Sequence, residues 1–118
     1  MSTAQIRLKM IEGVAVISPG SYLNQLRGEI LERQCRDLMC QGVHRIIINF
    51  SETELVNSIG ISILLSVIEA VNEDRGSLVL TNLGATNREL FEMLGLMTHV
   101  EVEDSEESAL LRLCGQVA

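Results

Sequence analysis

The chain has 118 residues, 47% of them hydrophobic but only 3% aromatic and none of them Trp, a size that suits one domain, residues 1–118, built around an aliphatic core. Sixteen acidic residues against nine basic ones give a net charge of -7, which repels polyanions and excludes nucleic acid as a partner; the charge itself reads as a solubility device. No basic leader opens the chain, the longest apolar segment (59–68) is broken by Gly60, Ser62 and Ser66 and cannot span a bilayer, and Cys35, Cys40 and Cys114 form no CxxC pair, which suits reduced thiols in a cytoplasmic protein, each acting as a small apolar residue.

Ile6, Leu8 and Met10 alternate with Arg7 and Lys9, and after Glu12-Gly13 the run Val14-Ala15-Val16-Ile17 resumes, which predicts a hairpin with a tight turn. Pro19-Gly20 stops the second strand. From Asn24 to Gln41 the apolar positions Leu23, Leu26, Ile30, Leu31, Leu38 and Met39 recur at helical steps, predicting an amphipathic helix weakened by Gly28 and ended by Gly42. Val43 to Phe50 carries Ile46-Ile47-Ile48 without alternation, the pattern of a central strand covered on both faces.

A polar loop, Ser51-Glu52-Thr53-Glu54, leads to a segment from Ser58 to Arg75 in which Ser58, Ser62, Ser66, Glu69 and Glu73 form one narrow polar stripe on an apolar cylinder. Ile59 and Ile63 are β-branched and the start alternates like a strand, but the length of the segment decides for a helix. A short strand follows at Leu78-Val79-Leu80; Thr86 with Glu89 has the spacing of a capping box for a further helix that Gly95 closes. Val100 to Glu103 alternates as an edge strand, and Asp104 with Glu107 reads as a second capping box before Ala109, Leu110, Leu111 and Leu113. The order β-β-α-β-α-β-α-β-α implies an α/β fold, with a mixed, mostly parallel β-sheet and about four helices packed against it.

The strand Ile46-Ile47-Ile48-Asn49-Phe50, the tetrad Asn57-Ser58-Ile59-Gly60 opening a long apolar helix, the turn Arg75-Gly76-Ser77 into Leu78-Val79-Leu80, and the late Leu94-Gly95-Leu96 together resemble the STAS domain of anti-sigma-factor antagonists over nearly the whole chain. The resemblance implies a STAS-like fold and a bacterial, non-catalytic protein-binding regulator of transcription. Such a domain binds an anti-sigma factor that is also a kinase, and phosphorylation of the serine just before the tetrad glycine dissolves the pair; a phosphate brings roughly -1.5 to -2 charges to a surface meant to pack. By family equivalence the partner-binding positions are Asn57, Ser58, Ile59, Gly60 and Ile63.

The pattern departs from the family where it matters. Asn57 stands at the Asp position, Ile59 at the phosphorylated position, Asn49 at the strand-end Asp, and Ser21, Tyr22 and Asn24 follow the second strand where the family has an acidic residue. Three readings fit: Ser58 is a shifted phospho-acceptor, binding is constitutive, or the domain scaffolds a larger signalling or transport complex, with a homo-oligomer among its forms. A one-residue shift turns a side chain by about 100° around the helix axis, so constitutive binding and scaffolding rank above a shifted site.

Taken without the resemblance, Asn57 and Ser58 are sound N-cap residues, Gly60 implies close approach of another backbone, and core burial is the first expectation for Ile59 and Ile63. Glu52 and Glu54 read as a solvated loop, because no apolar pocket raises either pKa. His44 and His99 have no partners at metal-ligand or triad spacing, and no glycine-rich phosphate loop exists. No metal, cofactor or catalytic residue is therefore assigned.

Overall fold

The computed structural model describes residues 6–114. The opening hairpin is formed by β1 (Arg7–Ile11) and β2 (Val14–Ser18). Its turn residues Glu12 and Gly13 both take positive φ, 50° and 83°, as a two-residue turn matched to strand twist demands. A two-residue strand β3 (Tyr22–Leu23) leads into α1 (Gln25–Cys40), then come β4 (Arg45–Asn49), a second two-residue strand β5 (Leu55–Val56) and α2 (Ser58–Glu73). The chain continues through β6 (Ser77–Thr81), α3 (Ala85–Met93), a 3-10 turn (Leu96–Thr98), β7 (Glu101–Glu103) and α4 (Glu106–Cys114).

Five strands form one sheet in the order β1-β2-β4-β6-β7. The hairpin pair is antiparallel and every other pair is parallel, so the expected mixed, mostly parallel sheet is present with β4 at its centre. The uninterrupted Ile46-Ile47-Ile48 run is explained by its two covers. Ile46 and Ile48 lie in the larger core with Ala15, Ile17, Leu31, Leu64 and Ile68, whereas Ile47 joins Val14, Val16 and Val79 beneath Ala109 and Leu113 of α4. α1 and α2 therefore cover one face and α4 the other, and Phe50 meets Phe91 edge-on at 5.8 Å between ring centres.

Several sequence expectations are corrected. β3 and β5, which pair in parallel as a separate two-stranded sheet, were not anticipated; two residues are too few to show a period. Leu26 and Ile30 do not join the core face of α1: both are exposed, while Leu31, Cys35 and Leu38 turn inward. Gly28 does more than weaken that helix, because a Cβ there would lie 2.9 Å from Cδ1 of Ile63, so it sets how closely α1 and α2 approach. The box of Thr86 and Glu89 does not form; the α3 N-cap is Gly84, without a side-chain bond, and Asn87 inside the first turn is buried and donates to the Thr53 carbonyl at 3.1 Å.

For α4 the cap is Ser105 rather than Asp104, its Oγ accepting from the Ser108 N–H at 3.1 Å. Of the cysteines only Cys35 is a buried apolar filler; Cys40 is exposed and Cys114 half-buried, and all three are free thiols. Among the described residues no helix is long and apolar enough to cross a membrane.

Candidate functional site

The sequence tetrad lies at the start of α2, and local structure explains how it is held there. Asn57 precedes the helix in extended conformation and its Oδ1 accepts from the Gly60 N–H at 2.7 Å, satisfying one of the donors that a helix start leaves without a partner. Asn24 does the same for α1, accepting from the Arg27 N–H at 3.1 Å. Because β3 and β5 pair in register, Tyr22 with Leu55 and Leu23 with Val56, the two helices begin side by side from equivalent asparagine caps. The two starts are also stitched together: Asn57 Nδ2 donates to the Tyr22 hydroxyl at 3.2 Å, and the Asn57 N–H donates to the Leu23 carbonyl at 3.1 Å.

Gly60 is buried, and a Cβ on it would lie 2.3 Å from the Leu23 carbonyl oxygen. The close backbone approach expected at this glycine is thus made within the domain, by β3, and not by a partner. Ile63 follows Gly60 on the side of α2 that meets Gly28. Ile59 stands one turn before Ile63 on that side of the helix, but it overhangs the helix start and is 47% exposed, contrary to core burial. Ser58 is exposed as well and heads the polar stripe, whose other members Ser62, Ser66, Glu69 and Glu73 are also exposed. Helical rotation of about 100° per residue separates the Ser58 hydroxyl from the direction that Ile59 takes.

Two further exposed apolar residues lie at this end of the molecule: Leu55 in β5, 55% exposed, and Leu26 at the second position of α1, 66% exposed. Sequence reading placed Leu26 in the core and gave Leu55 no role. A signal was available in the parallel triplets Tyr22-Leu23-Asn24 and Leu55-Val56-Asn57, each an apolar pair followed by a capping residue. The loop before the site is fixed by Thr53, buried, whose hydroxyl donates to the Gly20 carbonyl at 2.7 Å. Asn49 is engaged locally, its Oδ1 accepting from Ser51 N–H at 2.8 Å and its Nδ2 donating to Glu106 at 2.9 Å.

The histidines and loop carboxylates lie outside this arrangement. His44 precedes β4, at the opposite end of that strand from the tetrad, and pairs with Asp74 at 2.9 Å. Glu52 is paired with Arg7, and Glu54 is exposed. Among the described residues no three His, Cys, Asp or Glu side chains come together as a metal ion would need. What the site offers is a rigidly capped helix tip with an apolar side chain and a hydroxyl turned outward.

The STAS domain family matches residues 5–109, and the chain belongs to that family. Among its relatives is a candidate anti-sigma factor antagonist, BtrV of Bordetella bronchiseptica, 25% identical over 105 residues that make up 89% of this chain and 90% of BtrV. The fold is shared with a candidate anti-sigma factor antagonist from Thermotoga maritima at a TM-score of 0.85, with 15% identity over 92% of this chain and 94% of that one. It is shared also with the anti-sigma factor antagonist SpoIIAA in its unphosphorylated form, at a TM-score of 0.75 and 21% identity over 96% of this chain and 100% of that one. The phosphorylated form of the Bacillus protein SpoIIAA matches at 0.73 and 24% over 92% and 99%.

Proposed function

We propose that the domain is a non-catalytic regulator of the anti-sigma-factor antagonist type, working in a bacterial cytoplasm, which holds an anti-sigma factor or related kinase-like protein against the start of α2. The observation that carries this reading is Ile59: an apolar side chain 47% exposed on a helix tip that is otherwise fixed by its own hydrogen bonds. Similarity to BtrV over nine-tenths of both chains supports it. A rigid apolar tip binds at low entropic cost, because little has to be ordered on contact.

Binding on this reading is constitutive. Position 59 has no hydroxyl to modify, and Ser58, although exposed, faces about 100° away around the helix. The experiment is to mix the domain with its cognate anti-sigma kinase, with and without ATP, and to locate phosphate by mass spectrometry. A stable complex in both conditions with Ser58 unmodified is expected; phosphate on Ser58 accompanied by dissociation would replace constitutive binding with a shifted switch.

A further inference from the structure

The outer edge of β1 is open among the described residues. β1 is the last strand of the sheet and pairs only with β2 among the described residues. In a hairpin closed by the two-residue turn Glu12-Gly13, the flanking pair Ile11 and Val14 exchanges backbone bonds, as do Lys9 with Val16 and Arg7 with Ser18. The N–H and C=O groups of Leu8 and Met10 therefore point away from the sheet. The same two residues expose apolar side chains, by 44% and 48%, on the sheet face that carries α1, since they lie opposite the core residues Ile17 and Ala15.

Ile30 extends this strip. It is two residues from Gly28, which meets α2, so it projects about 200° away from that contact. α1 connects β2 to β4 and α2 connects β4 to β6, which puts the side of α1 remote from α2 toward β1. Exposed Leu8, Met10 and Ile30 thus border one open flank, where natural sheets ordinarily place a bulge, a proline or an unopposed charge to prevent pairing.

We propose that this edge pairs with the β1 edge of a second copy of the chain, antiparallel about a two-fold axis through Lys9. In the register that overlaps the whole strand, Leu8 faces Met10 of the other copy and Met10 its Leu8. These are the residues with outward backbone groups, so each opposed pair exchanges both N–H to C=O bonds and the sheet runs on across the axis. The apolar side chains and both copies of Ile30 gather on one face. Lys9 meets Lys9 on the other face, a contact that by itself repels. Each lysine, however, is paired with its own Glu106 at 2.8 Å, and that carboxylate is anchored by Asn49 at 2.9 Å. The edge tolerates a second copy because its one directly opposed like-charge pair carries its own counter-ions, and Arg7, diagonal to it, is likewise paired with Glu52.

Sedimentation velocity of the full chain across the micromolar range tests this. The expected result is a species of twice the chain mass that dissociates on dilution. Leu8→Lys, and Met10→Pro, which removes an outward N–H and an exposed apolar side chain but no bond to β2, should each give single-chain mass with an unchanged circular dichroism spectrum. Glu106→Gln should weaken the dimer at least tenfold at low salt and recover part of the loss at high salt, when the lysine repulsion is screened. A single-chain mass for the unaltered protein throughout, or a dimer that both edge variants leave intact, would overturn the proposal. Ile59→Glu, which alters α2 and leaves β1 untouched, should leave the mass unchanged, so this outcome is independent of partner binding at α2.

Discussion

The carbonyl oxygen of Leu23 occupies the place where a side chain on Gly60 would have to begin. A Cβ at Gly60 would come within 2.3 Å of it, and the same carbonyl accepts the Asn57 N–H at 3.1 Å, so the strand cannot retreat without loosening the helix cap. One glycine thereby locks β3 against the first turn of α2 and fixes the orientation of Ser58 and Ile59.

Gly60→Ala should therefore destabilise the domain even though alanine favours helix by about 1 kcal/mol. Overpacking against backbone costs about 1–3 kcal/mol and has no flexible side chain to absorb it. A net loss of about 1–2 kcal/mol, toward the upper end of that difference because the contact is with backbone, is expected in urea unfolding at pH 7. A more stable variant would mean that β3 and α2 are not held in this contact.

Gly28→Ala meets a different neighbour. Its new Cβ would lie 2.9 Å from Ile63 Cδ1 and 3.2 Å from Ile63 Cβ, and a β-branched side chain in a helix has few rotamers in which to escape. The clash should be smaller in the presence of Ile63→Val, which removes Cδ1. A double-mutant cycle is expected to show Gly28→Ala less costly by about 0.5–1 kcal/mol when combined with Ile63→Val than when made alone; additive effects would place the α1–α2 contact elsewhere.

How much of this is legible in the sequence depends on length and reach. The hairpin, α1, β4 and α2 announce themselves through period and through turn residues such as Glu12-Gly13, and the Ile46-Ile47-Ile48 run correctly signalled a strand covered twice. β3 and β5 left no periodic trace. Thr86 and Glu89 had the spacing of a cap, but Asn87 between them is committed to a buried bond with Thr53, a long-range demand that local pattern cannot display. Leu26 and Ile30 looked like core positions because helical spacing shows which residues share a face, and not whether the sheet extends far enough to cover it. At the site, the caps Asn57 and Gly60 were readable, whereas the exposure of Ile59 and the Leu23 contact depend on how β3 lies against α2.

Glu106 should make part of the stability pH-dependent. Burial alone would raise its pKa, but the hydrogen bonds from Lys9 and Asn49 and the Lys9 charge prevail and hold it below the ordinary 4.5. The folded protein then binds fewer protons here than the unfolded chain, so the contribution is complete above the ordinary carboxylate range and is lost as pH falls through the lower folded value. Glu106→Gln imitates the protonated group. It should be less stable than the parent at pH 7 and converge with it in acid; a constant difference at all pH values would remove the pair from the account.

Cys35 and Cys40 should separate by reactivity. Burial, with a smaller push from Glu32, raises the Cys35 pKa to about 12, so its reactive thiolate is scarce at pH 8. Titration of the folded protein with a thiol reagent should modify exposed Cys40 promptly and Cys35 only after urea is added. Equal rates would mean that α1 opens readily from the sheet.

The partner recognition proposed for the tip of α2 is tested most directly by titrating the proposed anti-sigma kinase partner with the parent domain and with Ile59→Glu, by isothermal calorimetry. Because Ile59 is 47% exposed, the substitution should leave the unfolding midpoint nearly unchanged while weakening binding at least tenfold, about 1.4 kcal/mol, since a charge is driven into an apolar contact. Undiminished affinity in a folded Ile59→Glu protein would contradict the account.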